Sequence, residues 1–264
     1  MPIASINNTK IDYLDLGSGK PLLFIHGLGA SYKMFEPQIH TFKKTHRVIC
    51  PNTRGNGKSG TLNEAIDQIL NIQCDDIAAL IRELNLEKVV MCGVSYGGVF
   101  TYHFVLKYPE LIEAIIIVDS FGDTKIVGIT EGLLMLSQAL TSWAYYLPTT
   151  WLSQLIKFQY NKWPLAQKHL IHLVKTMRKR ETFLQRKAIN KENHTDLLHT
   201  VRCPALGIVG NYTKIGVKYM ERSINEIQNS KLVIVDQSFD PTNLCQSESF
   251  NTIVYNYLDA LGWR

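Results

Sequence analysis

The sequence predicts a single α/β domain with a mainly parallel β-sheet flanked by helices, and three observations carry this prediction. The chain has 264 residues, 45% of them hydrophobic, which is enough to bury one large core. Apolar runs of strand length alternate along it with segments of helical periodicity. Its five cysteines are widely spaced and form no C-x-x-C pair, which argues against a disulfide framework and against a zinc site. Alternating strands and helices are typical of a parallel sheet with right-handed crossovers.

The first half of the chain supplies six predicted strands. The first four are the runs PIASIN, KIDYLDL, PLLFIHG and HRVICPN. Helical periodicity appears in DDIAALIRELNL, and the fifth strand, KVVMCGV, follows it. We expect a helix from about Gly97 to Tyr108, ended by Pro109, and then the sixth strand, LIEAIIIVD.

After an interruption the same alternation returns. ALGIVG and KLVIVD are predicted as strands, and GVKYMERSINEI and ESFNTIVYNYLDAL as the helices that follow them. No repeat or low-complexity linker divides this second half. We therefore assign residues 1–124 and 194–264 to one core.

The interruption, residues 125–193, differs from the core in composition and is predicted to be a helical insertion. Residues 132–156 hold no charged side chain, whereas residues 157–191 hold ten lysines or arginines and one acid, Glu181. Helical spacing of Ala166, Leu170, Leu173, Met177 and Leu184, with lysines opposite them, predicts one amphipathic helix over the sheet. The basic face is either a solvated surface above an apolar pocket or a surface that attracts an anionic ligand, partner or membrane.

One short motif indicates chemistry. Gly93 to Gly98 reads GVSYGG and fits the pattern G-x-S-x-G, in which a serine stands on a strained turn between a strand and a helix. A serine hydroxyl is a poor nucleophile at neutral pH unless a neighbouring base takes its proton. The candidate nucleophile is Ser95, and its function depends on its partners.

Four segments in order along the chain resemble those of the α/β-hydrolase superfamily. They are His26 to Gly29, Arg54 to Ser59, Gly93 to Gly98, and the strand that ends at Gly210. The resemblance covers nearly the whole chain and implies an α/β-hydrolase fold with a helical cap inserted after the sixth strand. It also implies that Ser95 is at the nucleophile position.

The same resemblance implies an oxyanion hole formed by the backbone amides of Leu28 and Tyr96. His26 begins the loop that carries Leu28. A structural role is favoured for His26 over the alternative role of a base. His103 is two helical turns beyond Ser95, roughly 12 Å along the axis, and so is too far away to serve it.

The chain departs from the family pattern at both proton-handling positions. The resemblance places Thr213 at the position of the acid and Asp240 at the position of the histidine, and no histidine follows His199. Loss of the base from a serine triad costs about 10⁶ in rate. Asp240 could replace the base only if burial raised its pKa, and Asp119 and Asp123 resemble an alternative acid position.

Two functions from different classes follow, and we favour the first because the sequence supplies no group that would accept the serine proton. The first is a pseudo-hydrolase that binds a small apolar or acyl-like ligand, or a protein partner, above Ser95 without turnover. The second is an active carboxylic-ester or acyl hydrolase with a rebuilt proton relay that uses Asp240, His169 or His172. An imidazole nitrogen within about 3.5 Å of the Ser95 hydroxyl would favour the second.

A narrower likeness favours the first function. Ser120 to Thr124, Leu147-Pro148 and Leu244 to Ser247 resemble segments of maspardin, a noncatalytic member of the superfamily. Its oxyanion loop differs, whereas His26 to Gly29 is intact here. The likeness therefore indicates only a class of function.

We expect no cofactor, no metal and no nucleic-acid partner. The N-terminal residues MPIASINNTK lack the apolar core of a signal peptide, and no apolar run is long enough for a transmembrane segment, so a cytoplasmic location is expected. If the alignment is right, Thr213→Asp combined with Asp240→His should rebuild the relay, and each single change should do little.

Overall fold

The computed structural model describes residues 2–123 and 142–263, and these contain an eight-stranded sheet. The strands are β1 (Ile3–Ile6), β2 (Thr9–Leu16), β3 (Pro21–Ile25), β4 (Arg47–Pro51), β5 (Val89–Val94), β6 (Ile112–Val118), β7 (Ala205–Gly210) and β8 (Ser230–Val235). Their spatial order is β1-β2-β4-β3-β5-β6-β7-β8. β1 and β2 pair antiparallel, β2 joins β4 antiparallel, and every other pairing is parallel. The mainly parallel α/β architecture expected from the sequence is confirmed.

Helices connect these strands and cover both faces of the sheet. In chain order they are α1 (Glu36–Phe42), α2 (Ile69–Glu83), α3 (Tyr96–Lys107), α4 (Thr149–Gln159), α5 (Pro164–Thr176), α6 (Lys179–Ile189), α7 (Lys214–Ile224), α8 (Thr242–Cys245) and α9 (Ser247–Ala260). α4, α5 and α6 belong to the segment between β6 and β7, as the insertion requires. None of the helices in the described ranges is long and apolar enough to cross a bilayer.

The core has two layers, one on each face of the sheet, because side chains alternate along a strand. In β3, Leu23 and Ile25 pack with α2, α3 and α7, whereas Leu22 and Phe24 pack with α1 and α9 on the other face. β5 is buried at every residue, as expected for a central strand with helices on both sides. This central position fixes the turn that follows β5.

The cap differs from expectation in one respect. The stretch from Ala166 to Leu184 was expected to form one amphipathic helix, and this is wrong: α5 ends at Thr176 and α6 begins at Lys179. Met177 between them has extended backbone angles. Arg178 donates to the carbonyls of Ser59 (2.8 Å) and Gly60 (3.3 Å), so the break directs a cation onto a core loop.

Several basic side chains of the insertion therefore bind the core instead of forming only a solvated face. Besides Arg178, Arg180 donates to the carbonyl of Leu62 at 2.8 Å. At the far end of the insertion, Asn193 pairs with Asp123 in an isolated antiparallel bridge. Of the expected cap boundaries, the start at residue 125 lies outside the described residues.

Candidate active site

Ser95 stands on the turn between β5 and α3 in a strained conformation. Its φ is 54° and its ψ is −113°, angles that a residue with a Cβ rarely adopts. The amide of Ser95 donates to the carbonyl of Val118 (2.8 Å), and the Ser120 hydroxyl donates to the carbonyl of Ser95 (2.8 Å). These bonds from both sides hold the strained residue in place.

Two glycines make this turn possible through close backbone approach. A Cβ at Gly93 would overlap the backbone of Gly97, and a Cβ at Gly97 would overlap the carbonyl of Ile25 in β3. α3 can therefore begin directly against the sheet. The G-x-S-x-G spacing reflects this packing requirement.

The hydroxyl of Ser95 faces a carboxylate. Its Oγ donates to Oδ2 of Asp240 at 3.2 Å, and no imidazole of the described residues hydrogen-bonds to it. Asp240 lies in the loop between β8 and α8. The condition that we set for a histidine-based relay is thus not met among the described residues.

The environment of Asp240 changes its acidity. Two effects raise the pKa of Asp240 to about 8: burial of the carboxyl, which is the larger, and the negative charge of Asp119. The hydrogen bond from Ser95 and the positive charge of Arg186 lower this pKa. A carboxyl group with such a pKa is a stronger base than an ordinary aspartate once it has lost its proton. This is the condition under which Asp240 could act in place of a histidine.

Asp119, at the end of β6, is the acid that contacts the loop of Asp240. Its carboxylate accepts hydrogen bonds from the amide of Gly210 (2.9 Å) and from the amide (2.5 Å) and hydroxyl (3.0 Å) of Thr242. Desolvation raises its pKa to about 6, although these bonds favour the ionised form. Thr213, the expected acid position, precedes α7 and lines the same cavity.

The expected oxyanion loop packs against the turn. His26 is fully buried, and its Nε2 accepts a bond from the amide of Thr53 at 3.1 Å, while Nδ1 donates to the carbonyl of Gly27 at 2.9 Å. Burial lowers the pKa of His26 to about 4, so this imidazole is neutral and both its nitrogens have partners. His26 positions the loop and is not available as a base.

The two backbone amides of the expected oxyanion hole make no hydrogen bond to the part of the chain that the structure describes. Among the hydrogen bonds within residues 2–123 and 142–263, none is donated by the backbone N–H of Leu28 or of Tyr96. Tyr96 is the first residue of α3, where a free amide and the helix dipole favour negative charge. This arrangement leaves both donors free for a ligand oxygen.

A cavity of about 220 Å³ opens beside Ser95. It is smaller than the roughly 300–1,000 Å³ typical of sites for drug-sized ligands. Its wall contains polar and charged groups next to apolar rings. The described residues that line it are Ser95, Asp119, Ser120, Phe121, Asp123, Arg186, Val209, Gly210, Thr213, Ile215, Gly216, Tyr219, Phe239 and Asp240.

An aromatic cluster of the cap and core fixes the loop of Asp240. The hydroxyl of Tyr160 donates to the carbonyl of Asp240 at 2.6 Å, and Nε1 of Trp163 donates to the carbonyl of Gln237 at 2.9 Å. Phe239 packs against Tyr160, Trp163 and Tyr212, with ring centroids 5.4, 6.1 and 5.6 Å away. Sequence reasoning missed Tyr160, Trp163 and Arg186, because nothing in their local pattern indicates contact with residues so distant along the chain.

Comparison with known proteins identifies the family of the fold. A family model described as alpha/beta hydrolase fold matches residues 20–200. The chain is 24% identical over 246 residues to 3-oxoadipate enol-lactonase 1 of Acinetobacter baylyi, covering 91% of this chain and 89% of that one.

Solved structures resemble it over nearly the full length. A thermophilic esterase from Thermogutta terrifontis superposes with a TM-score of 0.82 at 20% identity, covering 98% of this chain and 96% of the other. The enol-lactonase from Burkholderia xenovorans LB400 gives a TM-score of 0.80 at 19% identity, covering 98% of this chain and all (100%) of that one.

Proposed function

Because the chain belongs to the alpha/beta-hydrolase family, we propose that it hydrolyses small carboxylic esters or lactones, with Ser95 as nucleophile and Asp240 as general base. The observation that carries this proposal is the 3.2 Å hydrogen bond from the Ser95 hydroxyl to Asp240, a carboxyl whose pKa is raised to about 8. The relatives include an enol-lactonase and an esterase, which supports a cyclic or open ester as substrate.

The proposed reaction begins with attack of the Ser95 oxygen on the ester carbonyl. The hydroxyl proton passes to the carboxylate of Asp240, and the free amides of Leu28 and Tyr96 hold the negative oxygen that forms. The carbon–oxygen bond to the leaving group then breaks, and Asp240 returns the proton to the departing alkoxide. Ser95 is left as an acyl ester.

Water completes the turnover. Asp240 takes one proton from a water molecule as this water attacks the acyl ester, and returns it to the Ser95 oxygen when the carboxylic acid leaves. Asp119 is a positioning residue in this scheme, since it binds the loop that carries Asp240 and its charge contributes to the raised pKa.

A test of this proposal combines a pH profile with matched variants. The base must be ionised, so Ser95-dependent hydrolysis of p-nitrophenyl acetate should rise with pH and approach a plateau above about 8, where the raised pKa of Asp240 lies. Asp240→Asn should lower the rate by about 100-fold or more, the usual contribution of a general base. Asp236→Asn removes an exposed carboxylate from the same loop and should leave the rate unchanged.

A second candidate function is ligand binding without turnover. It is favoured by the absence of an imidazole at Ser95 among the described residues and by the raised pKa of Asp240, which keeps this group protonated below about pH 8. A protonated Asp240 and two free amides would hold a carbonyl or carboxylate of a small apolar or acyl-like ligand, or of a protein partner. Absence of both measurable ester turnover and labelling of Ser95 by a fluorophosphonate at any pH between 6 and 10 would support this second candidate.

A further inference from the structure

Three metal-ligating side chains meet outside the cavity of Ser95. His103 lies in α3, while Glu192 and His194 lie in the segment that returns from the cap to the core. Nδ1 of His103 is 3.0 Å from Nε2 of His194, and Oε2 of Glu192 is 3.6 Å from the first atom and 3.2 Å from the second. One ligand atom from each residue thus faces a common point.

These separations match the requirements of a transition-metal ion. Zinc binds imidazole nitrogen and carboxylate oxygen at about 2.0–2.2 Å, and the ligand atoms of a tetrahedral site then lie about 3.3 Å apart. Two imidazoles and one carboxylate suit Zn²⁺ and its first-row neighbours, whereas Mg²⁺ and Ca²⁺ prefer oxygen ligands.

A neighbouring amide orients the first imidazole. Nε2 of His103 lies 2.9 Å from Oδ1 of Asn71, and the ammonium group of Lys107 also points to this Oδ1 atom, at 3.4 Å. An ammonium group can only donate, so the Asn71 atom is an acceptor and Nε2 of His103 carries the proton. Nδ1 of His103 is therefore left with its lone pair toward Glu192 and His194, as in metal sites whose histidines donate to an outer carbonyl.

Burial distinguishes the cluster from a surface ion pair. The side chain of His194 is 5% exposed, and its Nδ1 has no hydrogen-bond partner among the described residues. The imidazole of His194 therefore makes its polar contacts there through Nε2. His103 and Glu192 are 18% and 19% exposed, which leaves a path for an ion from solvent.

We propose that His103, Glu192 and His194 bind one Zn²⁺ ion and that this ion braces the returning end of the cap against α3. The inference is independent of the proposed hydrolysis, because the cluster is two helical turns from Ser95 and touches no reacting atom. The amide of His194 also donates to the carbonyl of Gly122 at 2.7 Å, and Asn193 pairs with Asp123. A metal ion here would therefore hold the chain around Gly122, where Ser120, Phe121 and Asp123 line the cavity.

The test measures zinc binding to the full chain. After dialysis against EDTA, isothermal titration with Zn²⁺ should give one site per chain, and saturating Zn²⁺ should raise the midpoint of thermal unfolding by roughly 5 °C. Mg²⁺ and Ca²⁺ at the same concentrations should give no shift. His103→Gln and His194→Gln should each weaken zinc binding by at least about 100-fold, because they remove a direct ligand.

His199→Gln is the matched control, since His199 is an exposed histidine in the same returning segment. It should bind zinc as the unmodified chain does. If a histidine variant does not fold, Glu192→Gln and the visible absorption of Co²⁺ bound to the unmodified chain carry the test. Absence of stoichiometric zinc from the unmodified protein, or equal loss of binding in His199→Gln, would overturn the proposal.

Discussion

At the scale of single residues, position 240 decides what the strained serine can do. In the proposed function Ser95 is the nucleophile, but the group that faces its hydroxyl is a carboxyl instead of an imidazole. The pKa of a carboxyl at this position, and therefore its protonation state, depends on the surrounding groups. If Asp240 acts as the proposed base, its raised pKa should make hydrolysis at Ser95 depend on pH in the neutral range.

Asp240→His is expected to increase the esterase activity by itself. From the sequence we expected that an acid at Thr213 would also be required. Because Asp119 already bonds to the amide and hydroxyl of Thr242 in the adjacent turn, an imidazole at position 240 would have an acid nearby. Hydrolysis of p-nitrophenyl acetate at pH 7.5 should rise by about 100-fold or more.

Two comparisons control this prediction. Adding Ser95→Ala to Asp240→His should abolish the gain, and Thr213→Asp alone should leave the rate of the parent protein unchanged. If only the double variant Thr213→Asp with Asp240→His hydrolyses the ester faster than the parent protein, Asp119 does not serve position 240 and Thr213 is at the acid position.

At the scale of elements, the contact of α3 with β3 determines whether the turn can form. The backbone of Gly97 lies so close to the Ile25 carbonyl that no side chain fits between them. Gly27, in the neighbouring loop, has ordinary space instead: a Cβ there would lie 3.6 Å from the Val94 carbonyl and 3.8 Å from Met34. Two nearby glycines thus have different structural constraints.

Gly97→Ala is expected to destabilise the protein by at least about 2 kcal/mol, because α3 must move away from β3 to accommodate the methyl group. Gly27→Ala should change the free energy of unfolding by less than about 1 kcal/mol. Urea unfolding followed by far-UV circular dichroism measures both values. Equal stability of the two variants would contradict the close approach on which the turn depends.

At the scale of the whole molecule, the cap contacts the core at the loop that carries Asp240. Tyr160 and Trp163 of the cap bond to the carbonyls of Asp240 and Gln237, and their rings pack on Phe239. The cap therefore fixes the path of the loop that presents Asp240. Stability and activity should depend on the same contacts.

Trp163→Ala is expected to lower the free energy of unfolding by about 3 kcal/mol, since Trp163 is 6% exposed and its loss leaves a cavity. Ser95-dependent activity should fall with it, because the loop of Asp240 loses its bond at Gln237. Trp151→Ala is the matched control, as Trp151 is 65% exposed. A similar loss of stability in both variants would argue against a specific contact between cap and loop.

The sequence by itself determined the eight strands and their order along the chain. Strand-length apolar runs and helical periodicity depend on which side chains within a segment are buried. The eight strands and the turn at Ser95 could therefore be predicted from residues near one another in the chain. The absence of a histidine after His199 is likewise visible without coordinates. The continuous helix expected between Ala166 and Leu184 failed because Arg178 binds a core loop more than a hundred residues earlier.

Only the tertiary structure decided which distant groups meet. The carboxyl ends of β6, β7 and β8 lie at one edge of the sheet, and this brings Asp119 to the loop of Asp240 although 121 positions of chain separate them in the sequence. The same folding places His103 beside His194 and lets the surroundings of Asp240 raise its pKa. Desolvation and distances between distant side chains are properties of the packed chain, and local sequence patterns do not encode them.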